Sequence, residues 1–335
     1  MAYIYKKIIG NKEYYYLRVS KKMRGKVITK DIAYLGGNID EVSEKLKTIP
    51  SKYSEELRKG YRTINRFIYS NHFLEKARQS KLKKDDYLDK EAMDNVEACR
   101  LHWNTKFQKH DINSQKETLK NFIVDFAFNS TSIEGNTISL KQAQNLLLEN
   151  KTPADKDLRE IYDLQNTEKV FEELLADSSK ELNHDFIIQI HDKLIENIDT
   201  RKGYRTDDVR VFRQNFKSTP APYVKSDMEL LLKWYKKNED TLNPFVLAVI
   251  FHHKFEKIHP FMDGNGRSGR MLLNLILLKK KYPLLIIRRK NRVEYLRSMN
   301  SADKSKLTEA NSTMYFDLVN FAATEMQETY WNIFL

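Results

Sequence analysis

His259-Pro260-Phe261-Met262-Asp263-Gly264-Asn265-Gly266-Arg267-Ser268-Gly269-Arg270, followed directly by the apolar run Met271–Leu278, reads as a loop feeding a helix. Such a junction presents backbone N–H groups without helical partners and the positive end of a helix dipole, and its glycines let a bulky anion approach the backbone. That arrangement suits phosphates. Arg267 and Arg270 are three residues apart on the first turns, so both can reach one side and make charge-assisted bonds to phosphate oxygens. Asp263 offers a hard oxygen ligand just before the anion cradle, where a Mg²⁺ bridging phosphates needs one. His259 supplies a base: an unperturbed imidazole titrates near about 6.5, so at pH 7 it is largely neutral and can accept a hydroxyl proton. Each feature alone has a plainer explanation, because a lone histidine is most often structural, Asp-Gly-Asn-Gly is a good turn and helix arginines are usually solvated. Base, metal ligand, glycine-flanked amide and two cations within twelve residues point instead to phosphate chemistry.

The rest of the chain sets the frame. It has 335 residues, 58 Lys and Arg against 46 Asp and Glu for a net charge of +12, and 41% hydrophobic side chains. This is an ordinary globular composition with a soft prior of about two domains, which excludes a disordered chain or a stapled mini-protein. Cys99 is the single cysteine, so a disulfide framework and a cysteine-rich zinc site are both excluded and a reducing compartment is expected. The opening Met1-Ala2-Tyr3-Ile4-Tyr5-Lys6-Lys7 lacks a signal-peptide apolar core, and no apolar run approaches the roughly 18 residues of a membrane span. The expectation is a cytoplasmic protein with no membrane partner. Ten Gly and seven Pro are few for this length, which favours long helices.

Three segments are expected: a small basic β-sheet over 1–36, a helical connector over 37–115 and a catalytic region over 116–335. Tyr3–Ile9, Glu13–Val19 and Lys26–Tyr34 are β-branched or aromatic runs separated by Gly10-Asn11-Lys12 and Met23-Arg24-Gly25, the pattern of a three-stranded antiparallel meander. Asn38 can cap a helix running to about Thr48. Leu57, Ile64, Phe67 and Leu74 line one side of the connector, and the Lys- and Asp-rich stretch Gln79–Lys90 is its weakest point. Leu119, Phe122, Ile123 and Phe126 fit a helix ending near Gly135, and Ser139 can cap the next one. Further helices are expected over 155–176, 184–197, 226–237 and 244–257, the last with Asn243 as cap and Pro244 at the first helical position. Val209-Arg210-Val211-Phe212, ahead of Pro220-Ala221-Pro222, reads as a short hairpin in this otherwise helical region. The fold class is therefore mainly α, an all-helical core with a short β-hairpin, preceded by a small antiparallel β-sheet.

The junction matches the Fic motif, His-x-Phe-x-Asp/Glu-Gly-Asn-Gly-Arg-x-x-Arg, at every defined position, and in this the chain resembles the Fic family. The likeness extends through Gly203-Tyr204-Arg205, Val209-Arg210-Val211 and Pro220-Ala221-Pro222, and on to Tyr282-Pro283, Tyr295 and Ala302-Asp303, most of 116–335. The resemblance implies transfer of AMP from ATP to a Ser, Thr or Tyr hydroxyl of a protein substrate, which could be the chain itself. It implies that His259 takes the hydroxyl proton and that Asp263 holds Mg²⁺ on the α- and β-phosphates. Asn265, with the amides around Gly264 and Gly266, would bind those phosphates. Arg267 would bind phosphate too, and Arg270 would reach the γ-phosphate. Tyr295 and Asp303 correspond loosely to the adenine end. Ser130-Thr131-Ser132-Ile133-Glu134-Gly135 looks like the family's inhibitory motif, which implies that Glu134 pairs with Arg270 and occupies the γ-phosphate's seat; the plainer alternative is a helix end capped by Gly135 with Glu134 solvated. The hairpin with Val209, Arg210 and Val211 would be a flap that holds the target as an added strand.

Two rival readings accompany this one. Glu134 could activate water and make the site a hydrolase that removes AMP from a modified protein. Alternatively the basic sheet, with nine Lys or Arg against Glu13 in the first 30 residues and a run of tyrosines, could bind nucleic acid, although a solvated packing face is the plainer explanation. A homo-oligomer is left open by the sequence.

Overall fold

The period-two pattern at the N-terminus forms three antiparallel strands, β1 (Ala2–Ile9), β2 (Lys12–Met23) and β3 (Lys26–Gly36), in the order β1-β2-β3. The computed structural model describes residues 2–10, 12–23, 25–209 and 216–335. Tyr5 faces Tyr16 across the first pair of strands, and Tyr16 faces Tyr34 across the second. Alternation places Ala2, Ile4, Tyr15, Leu17 and Val19 on one buried face. β2 and β3 run on together to the Met23–Lys26 pair, beyond the end of β1 at Ala2–Val19, so the far end of the sheet is a two-stranded ribbon.

The buried face needs cover, and two helices supply it. The first, α1 (Ile39–Lys47), starts as expected at Asn38, whose side chain accepts the Glu41 N–H. The second, α2 (Ser54–Gln79), crosses beneath β1 at Gly60, where an added Cβ would lie 2.2 Å from the Ala2 carbonyl oxygen. Ile39, Val42 and Ile64 join the sheet residues in one core, with Leu57 and Phe67 packed against it. Further along α2, Phe73 and Ala77 enter a second, larger core together with Met93, Val96, Cys99 and Trp103 of α3 (Lys90–Thr105). The boundaries drawn at 36/37 and 115/116 therefore do not coincide with breaks between cores. The sheet shares its core with α1 and the first half of α2, while α3 packs with the helices of 116–335. Dense surface charge along α2 hides this division in the sequence.

The larger core is mainly helical, with the irregular stretch 282–287 also buried in it. It contains α4 (Ile112–Ile133), α6 (Leu158–Ala176), α7 (His184–Leu194), α8 (Val224–Asn238), α9 (Pro244–Ile258), α10 (Asn265–Lys279), α11 (Arg292–Ala302) and α12 (Ser312–Ile333), with α5 (Leu140–Glu149) packed on α4 and α6. α5 begins with a reciprocal capping box between Ser139 and Gln142. α9 is buried on every side, from Phe245 through Phe255 and again at Ile258, as a helix apolar all round must be. Its start carries both expected signals: the Asn243 side chain accepts the Phe245 N–H, and Pro244 is the first helical residue. Lys254 is an exception inside this helix, fully buried with Nζ donating to the carbonyls of Lys306 (2.8 Å) and Glu309 (2.5 Å). Burial, with nearby Lys257, pushes its amine down to about 7. Of the expected hairpin, Val209 has no regular structure, and Arg210, Val211 and Phe212 lie outside the described residues. Among the described residues no helix is long and apolar enough to cross a membrane.

Candidate active site

α9 ends at His259, whose backbone turns left-handed (φ 54°, ψ 61°) while its N–H still reaches the Phe255 carbonyl at 2.9 Å. Arg205 holds that turn. Its Nε donates to the His259 carbonyl at 2.8 Å, a second guanidinium nitrogen reaches the Thr219 carbonyl, and its own backbone N–H meets the Pro260 carbonyl at 2.9 Å. A cation at a helix C-terminus satisfies carbonyls that have no intrahelical donor and complements the dipole. Desolvation lowers the Arg205 pKa, and the nearby Asp208 carboxylate opposes that shift. The His259 ring is one-fifth exposed, with Nδ1 4.0 Å from Glu256 Oε2.

The loop is closed by Asn265. Its Oδ1 accepts the Phe261 N–H and its Nδ2 donates to the Phe261 carbonyl, both at 2.8 Å. Asn265 was expected among the phosphate ligands, but its side chain is bound up in the loop, so what it can offer an anion is its backbone N–H. Phe261 lies face to face with His191 of α7, ring centroids 3.6 Å apart, and His191 Nε2 is 3.1 Å from the Asp263 carbonyl oxygen. Gly264 caps α10, whose first i to i−4 bond runs from the Ser268 N–H to the Gly264 carbonyl. The N–H groups of Asn265, Gly266 and Arg267 precede that bond and form the anion-binding end of the helix.

Glu134 sits over this end. Ser130 and Glu134 are four residues apart at the close of α4 and share a face. Arg270 meets both: Nε donates to Ser130 Oγ at 2.9 Å, and one terminal nitrogen donates to the Ser130 carbonyl at 2.8 Å and to Glu134 Oε1 at 2.5 Å. A Cβ on Gly266 would lie 2.0 Å from the same Glu134 oxygen, so glycine here makes room for the carboxylate. Glu134 Oε2 is also 3.4 Å from Arg267 Nε. The Arg270 side chain is only 3% exposed; burial works against its charge, yet Glu134, Tyr295 and Glu256 outweigh it and raise its pKa.

Two partners of the motif were not foreseen, both from α6. Asp163 is ion-paired with Arg267, and Arg159 with Asp263. Arg267, also 3% exposed, thus faces Asp163, Glu134 and Asp263, the last at 3.6 Å. Burial raises the Asp163 carboxyl, an effect that Arg267 opposes and Glu134 reinforces. Arg159 and Asp163 are spaced i, i+4, but nothing in that spacing says which helix N-terminus they will meet. Asp263 keeps about a quarter of its side-chain surface and accepts the Gly264 N–H at 2.6 Å. Among the described residues no group of three or more His, Cys, Asp or Glu could hold a metal by itself. A single carboxylate beside a phosphate cradle nevertheless suits Mg²⁺, which commonly takes one or two carboxylates with phosphate oxygens and water.

Tyr295 and Asp303 fall elsewhere than expected. Tyr295 is 3% exposed, too little ring surface to stack on a base; its hydroxyl is 2.8 Å from His252 Nε2. Asp303 Oδ1 is 3.0 Å from His253 Nε2. The adjacent histidines of the buried helix α9 need polar partners, and these two residues supply them from α11 and its C-terminal end, tying the helices together.

The Fic/DOC family model matches residues 181–277, which run from the start of α7 through most of α10 and contain the whole junction. Protein adenylyltransferase fic-1 of Caenorhabditis elegans is 29% identical over 187 residues, 54% of this chain and 37% of that protein. Protein adenylyltransferase Fic of Nematostella vectensis is 28% identical over 249 residues, 71% of this chain and 57% of that protein. The chain thus spans between about a third and three fifths of the length of these curated relatives. A Fic domain containing signaling protein from Bacteroides thetaiotaomicron shares the fold, with a TM-score of 0.64, 23% identity, and coverage of 70% of this chain and 94% of that one. Motif, fold and sequence likeness coincide on the same helix pair, and on that ground residues 181–277 form a Fic domain.

Proposed function

We propose that this chain transfers AMP from ATP to a protein hydroxyl and is restrained by Glu134. The observation that carries the reading is the Glu134 carboxylate bound to Arg270 directly over Gly266, at the amide end where a triphosphate would be held. In the transfer, the hydroxyl oxygen bonds to the α-phosphorus, the bond from that phosphorus to the β-phosphate oxygen breaks, and pyrophosphate leaves. His259 takes the hydroxyl proton at Nε2, since Nδ1 is the nitrogen nearer Glu256. The amides of Gly266 and Arg267 and the two guanidinium groups orient the phosphates, and an oxyanion donor of this kind supplies about 2.7–4 kcal/mol. Asp263 would hold Mg²⁺, which when bound neutralises charge on the phosphates. While Glu134 holds Arg270, an incoming triphosphate loses a cation and meets a carboxylate.

None of the residues assigned a role in this chemistry comes from 1–36, whose sheet packs with α1 and the first half of α2 in a separate core. The test is incubation with radiolabelled ATP of the wild-type chain, Glu134→Gly and Glu134→Gly/His259→Ala. Label gained by Glu134→Gly alone supports restrained transfer. No label on any of the three, together with release of AMP from a pre-modified protein by the wild-type chain, would assign Glu134 to the hydrolytic reaction instead.

A further inference from the structure

The sheet's second face is unusual for a solvated surface. Alternation that buries Tyr15 and Leu17 turns Tyr3, Tyr5, Tyr14, Tyr16 and Tyr34 outward, and the register sets Tyr5 beside Tyr16 and Tyr16 beside Tyr34. The ring centroids of Tyr16 and Tyr34 are 5.4 Å apart, and those of Tyr14 and Tyr34 6.4 Å. Tyr34 is exposed and the other four are partly so. An outer sheet face with no partner is ordinarily populated by lysine, glutamate and threonine rather than five aromatic rings.

Cations surround the rings. Arg18 lies over the Tyr5 ring with its guanidinium carbon 3.6 Å from the centroid, and Lys45 of α1 places Nζ 4.7 Å from the centre of Tyr34. Lys7 and Lys22 share the outer face and are exposed; Asp31, the acid on that face among the described residues, is already paired with Arg18 at 2.6 Å. Lys22 stands on the two-stranded ribbon that projects beyond β1, next to exposed Val27. The first 36 residues hold nine Lys or Arg against Glu13 and Asp31, and of the described ones Lys7, Lys12, Arg18 and Lys22 lie on this outer face.

The geometry points to this face as a platform for single-stranded nucleic acid, with bases stacked on the tyrosines and phosphates tracked by Lys7, Lys22 and their neighbours. Neighbouring exposed rings on an open sheet accept unpaired bases, whose faces a duplex does not offer. An acidic polypeptide without aromatic groups would match the lysines but would leave the ring faces unstacked. The activity proposed for the junction does not require this surface, which draws its stability from a separate core.

The test is fluorescence anisotropy of the full chain with a labelled single-stranded oligonucleotide of about 16 nucleotides, its duplex, and labelled poly-glutamate. The single strand is expected to bind more tightly than either competitor. With about four phosphates neutralised, at a slope of about 0.7 each, affinity should fall about 50-fold from roughly 50 to 200 mM salt. Tyr16→Ala and Tyr34→Ala should each weaken binding about 10-fold. Lys7→Gln/Lys22→Gln, on solvent-exposed positions, should lower the salt slope with an unchanged circular dichroism spectrum, so the idea can be judged even if a tyrosine variant unfolds. Equal or tighter binding of duplex or poly-glutamate, or salt slopes and affinities indistinguishable from wild type in the variants, overturns it. Transfer activity is not read here, so failure leaves the AMP-transfer proposal untouched.

Discussion

The start of α10 and the outer face of the N-terminal sheet are both rich in cations, but they handle charge in opposite ways. At the helix start, Arg267 and Arg270 are 3% exposed and each is held by carboxylates from other helices. On the sheet, the lysines are exposed, and the Arg18–Asp31 pair is solvated at its acidic end, where Asp31 is 44% exposed. Net charge therefore says little about where chemistry occurs. Buried charge with fixed partners resists rearrangement and can orient a substrate, whereas exposed charge is screened and acts mainly at long range.

The contrast can be broken or sharpened by mutation. The largest effect is expected from His259→Ala in the Glu134→Gly background: label transfer should fall by about 10²–10⁴-fold, the usual contribution of a positioned general base, and a fall of less than tenfold contradicts its role. Glu134→Gly by itself should raise transfer about 10- to 100-fold, matching the roughly 1.5–3 kcal/mol of a charge-assisted bond; initial rates of pyrophosphate release would measure it. Asp163→Asn withdraws one carboxylate from buried Arg267 and should cost about 2 kcal/mol in urea unfolding, kept modest because Glu134 and Asp263 still face the guanidinium.

Lys254 offers a pH test of burial itself. Its folded-state pKa is lowered to about 7, below the unfolded value, so between pH 7 and roughly 10 the unfolded chain binds the proton that the folded chain releases. Stability from this group should rise across that window, and Lys254→Met should flatten the rise; an unchanged slope would show that the amine stays charged in the fold. The smallest effect is expected on the sheet, where Asp31→Asn removes a solvated ion pair and should leave the urea midpoint where it was. A large shift there would erase the difference between the two regions.

Much of this was legible in the chain because it is local. Asn38, Ser139 and Asn243 cap helices as their side chains predict, and Gly264-Asn265-Gly266 marks the helix start. Contacts between distant segments were not legible without the family pattern: the i, i+4 spacing of Ser130 and Glu134 sets a shared face, but only the resemblance named Arg270 as the partner. Asp163 and Arg159 had no such guide, and for Arg205 the resemblance covered the residue without naming its partner. Their partners lie 104, 104 and 54 residues away, and nothing in their own neighbourhoods indicates them. The bonds of the Asn265 side chain to Phe261 and of the Tyr295 hydroxyl to His252 were hidden for a related reason, since a motif position fixes a residue type and leaves open whether its polar atoms face a ligand or brace the fold.

The most direct measurement is intact-mass and peptide mass spectrometry after exposure to ATP and Mg²⁺, comparing wild type, Glu134→Gly and Glu134→Gly/His259→Ala, each alone and with candidate target proteins. The account predicts an AMP adduct on a hydroxyl side chain, of the chain itself or of a target, that is abundant with Glu134→Gly, scarce with wild type and absent when His259 is also replaced. Equal adducts with wild type and Glu134→Gly, or adducts that persist without His259, would contradict it.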